Sequence, residues 1–360
     1  MSLKEQSDSF DPPRFVDAPA MHDQSVKAKP TATKHAGPSS LKSDIFEILA
    51  VLCYTCIPHV ELLLHVWFFY NWRYLWPFAV MYWTFAYFID VDTPYTGGTD
   101  RWRFIRDWSF WKYFRDYFSA ELIKTADLDP SGNYLFGYHP HGIYCYGLLP
   151  NFITNVNNFS GLFPGIKLRM TTLDLNWSIP LWRESQMAFG VVSVSAKSLK
   201  HVLTKKGPGW STMVVVGGAD EALLAYPGTN DIVIDRRKGF IKIAIQTGAS
   251  LVPVFTFGEN DLFWQVTDTN APSIRKLQNR LTKTMTFSLP LIWGRFGPFP
   301  RKVKVVSVVG APIPVTKQEN PSREYVAAVH KQYVEALVKL YHDHKDKYAV
   351  DRISELKIVK

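Results

Sequence analysis

Between residues 45 and 89 the chain carries two apolar, aromatic-rich stretches, and neither is a clean membrane span. The first, residues 45–70, is interrupted by Glu47, Pro58, His59, Glu61 and His65. The second, residues 74–89, follows Asn71, Trp72 and Arg73 and falls short of the roughly 20 residues that a straight span needs. Trp67, Trp72, Trp76 and Trp83 resemble interfacial anchors. A helical hairpin that dips into a bilayer and returns accommodates both the short segments and the Pro58 break. Two full spans would strain the length, and a buried pair of soluble helices is the plainer alternative. With either membrane geometry Lys42, Arg101, Arg103 and Arg106 lie on one side, the cytosolic one by the bias of cations toward that face.

The rest of the chain falls into two further parts. Residues 1–43 mix Pro, Ser, Lys, Asp and Ala without periodicity and read as a disordered tail. No apolar stretch begins near Met1, so no cleavable signal peptide is expected. Residues 93–360 alternate strand and helix signals. Strands are expected at Tyr134 to Tyr138, Met213 to Val216, Leu251 to Phe257 and Val303 to Val309, and helices over Phe240 to Thr247 and from Pro321 onward. Unbroken Val-rich runs between helices predict an α/β fold, a mainly parallel sheet flanked by helices and preceded by the membrane-embedded hairpin.

Composition excludes several classes. With 47% apolar residues over 360 positions the chain can bury a core, so it is neither disordered throughout nor fibrous. Three cysteines do not make a disulfide framework. The CxxC at Cys53 and Cys56 lies inside the first apolar stretch and reads as apolar packing. The net charge of +9 suits an anionic partner, and the aromatic excess favours a membrane over nucleic acid.

One segment concentrates chemistry. In Gly137-Tyr138-His139-Pro140-His141-Gly142, two imidazoles flank a proline directly after a strand, and Gly142 permits close backbone approach. A neutral imidazole there can take a proton from a hydroxyl. Metal binding would need a further ligand, and two structural histidines are the bland alternative. A base histidine wants a carboxylate partner, yet five residues beyond each histidine stands a tyrosine, Tyr144 or Tyr146. The acid must come from elsewhere. Gly217-Gly218-Ala219-Asp220-Glu221 follows another strand, with glycines for close approach and acids that could equally cap a helix. Arg236-Arg237-Lys238 precedes a helix and is a candidate phosphate contact, as is the weaker Lys205-Lys206 turn. GxxxxGK[ST], GxGxxG and GxSxG are all absent, which leaves nucleotide hydrolysis, dinucleotide chemistry and serine hydrolysis unsupported.

Taken together these blocks resemble the type-2 diacylglycerol acyltransferase family, which also contains monoacylglycerol and wax-ester acyltransferases. The likeness runs from about residue 45 to Lys360. It is densest at Asp127-Leu-Asp-Pro130, Tyr138-His-Pro-His-Gly-Ile143, Phe163-Pro-Gly-Ile166, Val215-Val-Gly-Gly-Ala219 with Glu221, Arg237-Lys-Gly-Phe240, Leu251-Val-Pro253 and Phe257-Gly-Glu-Asn260. Ser119, Ala222 and Trp293-Gly294-Arg295-Phe296 depart from the family pattern. The resemblance implies a glycerolipid-acyltransferase-like fold and transfer of an acyl group from acyl-CoA to diacylglycerol, giving triacylglycerol. It also implies an endoplasmic-reticulum membrane protein that reaches lipid droplets, with residues 93–360 facing the cytosol.

On these grounds His141 is the expected general base, with His139 as its support and Glu221 orienting the His141 ring; Asp220 is the second choice of acid. Arg237, Lys238, Gly142, Gly217, Gly218, Glu259 and Asn260 are the expected substrate-binding positions. Cys145 is expected to line the pocket without forming a covalent intermediate. No metal and no cofactor are expected, acyl-CoA being a substrate. The expected partners are acyl-CoA, diacylglycerol and the lipid bilayer, not nucleic acid, with room for a homo-oligomer. A monoacylglycerol or fatty-alcohol acceptor is the near alternative, and an inactive lipid-droplet scaffold the distant one.

Overall fold

Residues 41–266, 272–285 and 290–359 are described by a computed structural model. Residues 1–40, most of the expected tail, lie outside them; residues 41–43, also assigned to the tail, instead begin the first helix.

That helix is α1 (Leu41–Thr55), and α2 (Ile57–Tyr70) and α3 (Trp72–Thr84) follow it. The first break falls at Cys56, with Pro58 in the opening turn of α2, where its missing N–H costs nothing. The second falls at Asn71, as the sequence indicates. Among the described residues no single helix is long and apolar enough to cross a bilayer, whereas α1 and α2 together are, bent by 53°. No residue of α2 is buried, and Leu62, Leu63, Val66, Trp67 and Phe69 are exposed. α1 behaves differently. Its Ala50 and Val51 are fully buried, and its Tyr54 makes edge-on contacts with Trp111, Phe114, Tyr146 and Phe189. Cys53 is exposed on the same helix and Cys56 half-buried, so the packing role expected of the pair fails for Cys53, which faces away from that core.

The strands are β1 (Glu121–Lys124), β2 (Tyr134–His139), β3 (Lys167–Thr172), β4 (Val192–Ser193), β5 (Trp210–Val215), β6 (Asp231–Ile232), β7 (Ser250–Phe257), β8 (Trp264–Gln265), β9 (Ile292–Trp293), β10 (Val306–Val309) and β11 (Lys357–Ile358). Seven form one sheet in the order β1-β10-β7-β2-β5-β3-β4. β2 sits at its centre, every residue buried, parallel to β7 on one side and to β5 on the other. The mainly parallel sheet read from the sequence is therefore present. One pairing departs from it: β10 runs antiparallel to β7, Val306 opposite Phe257, while pairing in parallel with β1. β10 is also shorter than expected, beginning at Val306; the Val305 amide bonds instead to the Phe118 carbonyl, ahead of β1, at 3.0 Å.

The remaining helices are α4 (Arg103–Arg106), α5 (Trp111–Tyr117), α6 (Phe159–Leu162), α7 (Trp182–Ala188), α8 (Ala196–Lys205), α9 (Gly218–Leu224), α10 (Gly239–Thr247), α11 (Pro272–Met285) and α12 (Arg323–Tyr348). α10 ends where the sequence places it, on Gly248 at φ 77°. α12 starts at Arg323 rather than Pro321, because the Ser322 hydroxyl caps it by accepting from the Tyr325 amide. Its Val329, Tyr333, Leu337, Leu340 and Tyr341 pack on one face of the sheet with α10. The other face carries a second core, where Trp111, Phe114 and Tyr117 of α5 meet Tyr146, Leu149 and Phe152 of the segment after β2. Both cores cover the same buried strands, so the carboxyl ends of β2 and β5 are held rigidly at one edge of the sheet, where α/β folds place their ligands.

Candidate active site

The two histidines leave the end of β2 in opposite environments. His139 is the last residue of that strand and is fully buried. Its Nε2 lies 3.2 Å from the Tyr333 hydroxyl of α12, which itself donates to the Gly137 carbonyl at 3.1 Å. Its Nδ1 has no hydrogen-bond partner among the described residues and stands 4.0 Å from Glu221 Oε1. His141, beyond the cis His139–Pro140 bond, is half-buried, and its Nδ1 lies 3.1 Å from the Gly142 carbonyl. Burial pushes the His141 imidazole below its ordinary value, so the ring is neutral near pH 7 and can accept a proton. Of the two, only His141 can meet a substrate.

Glu221, at the start of α9, is almost completely buried. Its Oε2 accepts from the His141 backbone amide at 2.7 Å, and its Oε1 accepts from the Val233 amide at 2.7 Å. The expectation that it orients the His141 ring is therefore corrected. It holds the His141 backbone, and the ring beside its carboxylate is that of His139. The reason is that both carboxylate oxygens are already committed to main-chain amides, those of His141 and Val233. Gly217 is what allows this approach, since a Cβ there would fall 1.8 Å from the Glu221 carboxyl carbon. Asp220, the alternative acid, points away and accepts from Arg237 at 2.7 Å.

Glu259 plays the matching part on the other side of the turn. It too is buried, its Oε1 accepting from the Tyr146 amide at 2.7 Å. Its Oε2 accepts from the Gly147 amide and the Tyr138 hydroxyl, both at 2.9 Å. Burial outweighs these donors and lifts its carboxyl to about 7. Gly142, at φ +60°, passes so near that a Cβ would lie 2.6 Å from Glu259 Cγ. Gly142, Gly217 and Glu259, expected at the substrate, all take part in seating the turn. Asn260 is also buried, its Nδ2 donating to the Thr229 carbonyl at 3.0 Å. Gly218 alone of the three glycines opens on free space, at φ +62°.

The cations are divided. Arg237 donates to Asp220 and, at 3.2 Å, to the Gly217 carbonyl, so it braces the α9 turn; Lys238 is exposed ahead of α10. Cys145 donates its thiol to the His141 carbonyl at 3.0 Å, and burial pushes that thiol well up, against a thiolate nucleophile. Sequence reasoning missed Tyr138 and Tyr333 as partners of the site. Both sit in patterns that read simply as core, a buried strand and an apolar helix face. Among the described residues no group of three His, Cys, Asp or Glu side chains is placed to hold a metal.

A family model described as "Diacylglycerol acyltransferase" matches residues 65–359. The chain is 46% identical over 281 residues to 2-acylglycerol O-acyltransferase 1 of Bos taurus, covering 76% of this chain and 83% of that protein. It is 44% identical over 293 residues to diacylglycerol O-acyltransferase 2A of Umbelopsis ramanniana, covering 79% and 82%. Among solved structures, the 1-acyl-sn-glycerophosphate acyltransferase of Thermotoga maritima aligns at a TM-score of 0.36 and 13% identity, over 82% of this chain and 97% of that one.

Proposed function

Because the chain belongs to the diacylglycerol acyltransferase family, we propose that the turn after β2 transfers a fatty acyl group from acyl-CoA to the free hydroxyl of diacylglycerol, yielding triacylglycerol. The observation that carries the mechanism is the split between the histidines: a half-buried, neutral His141 beside a fully buried His139. His141 takes the hydroxyl proton as the oxygen attacks the thioester carbonyl. The new C–O bond forms and the C–S bond breaks. The imidazolium then returns the proton to the departing thiolate, releasing coenzyme A. No covalent enzyme intermediate is needed. His139, the Tyr333 hydroxyl and the two buried carboxylates fix the turn that presents the ring. Lys238, and Arg237 where it can leave Asp220, are candidate contacts for the donor's phosphates.

The exposed apolar surface of α2 and α3 supports insertion of this hairpin in a bilayer, since so much apolar area is costly in water. An apolar cavity of about 790 Å³ between α2 and α3, closed by Pro180 and Leu181 beyond the carboxyl end of β3, gives room for a lipid acyl chain. β3, β5 and β2 run parallel, so the segment that closes the cavity and the turn carrying His141 both follow the carboxyl ends of their strands. We place the enzyme in the endoplasmic-reticulum membrane, with access to lipid droplets and the sheet on the cytosolic side.

A monoacylglycerol acceptor is the second reading, favoured by the similarity to the Bos taurus 2-acylglycerol enzyme. Expression in membranes that lack triacylglycerol synthesis, with labelled acyl-CoA and separation of the lipid products, tests both. Label in triacylglycerol supports the first reading, and label only in diacylglycerol the second. Label in wax ester would move the acceptor to a fatty alcohol, and no labelled ester at all would sink the acyl-transfer reading.

A further inference from the structure

At the far end of β3 lies a second cavity, about 620 Å³, built from different chemistry. Four cations line it, Arg103, Arg106, Lys167 and Arg169, against two carboxylates, Asp100 and Asp107. Asp100 is shared, pairing with Arg106 and, at 3.0 Å, with Arg169. Asp107 is matched by Arg103 at 3.0 Å. Lys167 faces no carboxylate among the described residues; its ammonium stands 5.8 Å from the ring of Trp210. That same ring is approached by Arg169 at 5.2 Å and by Lys206 at 4.8 Å. The buried Nε of Arg106 has no partner among the described residues. The cavity is thus two positive charges in excess before Lys206 is added, and cations crowded this closely repel one another unless an anion joins them.

β3 pairs with β5 over Lys167–Met170, while β4 covers only Thr171 and Thr172, so among the described residues no strand pairs with the outer side of the first part of β3, which borders the cavity. The place is separate from the histidines. Arg169 is level with Leu135 through their shared neighbour Thr212, and His139 lies four residues further along, about 13 Å, and two strands across, about 10 Å.

We propose that this cavity is a phosphate-binding site, with Lys167 as its principal free ligand and Arg103 and Arg106 completing the field. A phosphate group has the charge to satisfy the excess and the acceptor oxygens to meet several donors at once. Two molecules could bring it: the phosphorylated nucleotide half of coenzyme A, or the headgroup of an anionic lipid. The nucleotide source rests on the acyl-transfer reading and the lipid source does not, so binding and not turnover is measured.

Full-length protein in zwitterionic detergent is titrated with the phosphorylated nucleotide half of coenzyme A by calorimetry. In parallel it is floated with phosphatidylcholine vesicles with and without phosphatidate. Lys167→Glu is expected to weaken one of the two interactions about tenfold, the loss of one charge-assisted contact. Lys167→Arg should retain it. Lys167 is exposed, so both variants should fold, which thermal unfolding checks. Loss confined to the nucleotide assigns the cavity to the donor's phosphates, and loss confined to phosphatidate vesicles assigns it to lipid. If the wild-type chain binds neither probe, or if Lys167→Glu leaves both unchanged, the proposal is overturned.

Discussion

Glu221 grips His141 by its backbone: Oε2 accepts from the His141 amide at 2.7 Å, while Oε1 lies 4.0 Å from the ring of His139. The acid therefore sets where the turn after β2 sits and makes no hydrogen bond to the His141 ring. This changes what its removal should do. Glu221 satisfies two buried amides at once, so Glu221→Ala should cost about 1–3 kcal/mol and lower the rate with it. Glu221→Gln must turn an NH2 toward one of those amides and should lie between the two. Rate per folded enzyme and thermal unfolding, measured on both variants, check this. A variant as stable as wild type but inactive would restore a direct role in orienting the ring.

Gly217 and Gly218 should separate cleanly. A Cβ at Gly217 collides with the Glu221 carboxyl, so Gly217→Ala should reproduce the loss seen in Glu221→Ala. Gly218→Ala meets open space and pays only for its positive φ, roughly 1–2 kcal/mol of stability, with a smaller effect on rate. Equal rates in the two variants would contradict the seating role assigned to Gly217.

The base has a pH signature. Burial lowers the His141 pKa from its ordinary 6.5, so the neutral ring persists into mildly acidic solution. kcat/KM should hold steady from pH 7 downward past 6.5 before its acidic limb begins. His141→Ala should lose roughly a hundredfold to ten-thousandfold in rate with membrane association unchanged. Full turnover by folded His141→Ala protein would remove it from the mechanism.

Glu259 should be visible in stability instead. Its carboxyl rises from 4.5 to about 7 on folding, so the protonated form is favoured in the native state. Its contribution is fully present below pH 4.5 and is lost as pH rises through about 7. Glu259→Gln, which cannot ionise, should flatten the fall in melting temperature across that window. An unchanged slope would place the titration elsewhere.

The hairpin divides into a part that belongs to the folded core and a part that does not. α1 contributes Ala50, Val51 and Tyr54 to that core and bonds to it through Thr55 and the Tyr146 hydroxyl at 2.9 Å. Removing residues 45–89 should therefore unfold the protein. Removing only residues 57–84 should leave a folded domain that alkaline extraction frees from membranes. A shorter variant that still resists extraction would locate the anchor outside α2 and α3.

Much of this was legible beforehand. β2, β7 and α10 announce themselves as apolar runs stopped by Gly or His, and the catalytic turn stands out because two imidazoles at a strand end have few other uses. The antiparallel β10 was not legible, since a buried Val run looks the same in either direction. Nor was the grip of Glu221 on a main-chain amide: spacing says which acids come near a turn, not which atoms of the turn face them. Gly142 and Gly217 were read as admitting a ligand, and the close neighbour of each is a carboxylate-bearing side chain, Glu259 or Glu221. A glycine that admits a ligand and one that admits a neighbouring carboxylate are identical in sequence.

The place of β10 in the sheet also bears on the order of events at the ribosome. β1 leaves early, yet its one partner in the sheet is β10, among the last strands made. Meanwhile α1, α2 and α3 have long since emerged. Synthesis therefore finishes these three helices before α5, on which α1 packs, and long before the sheet is complete. The sheet closes only when β10 arrives, so the exposed apolar faces of α2 and α3 exist for most of synthesis before the turn after β2 is held between its two carboxylates.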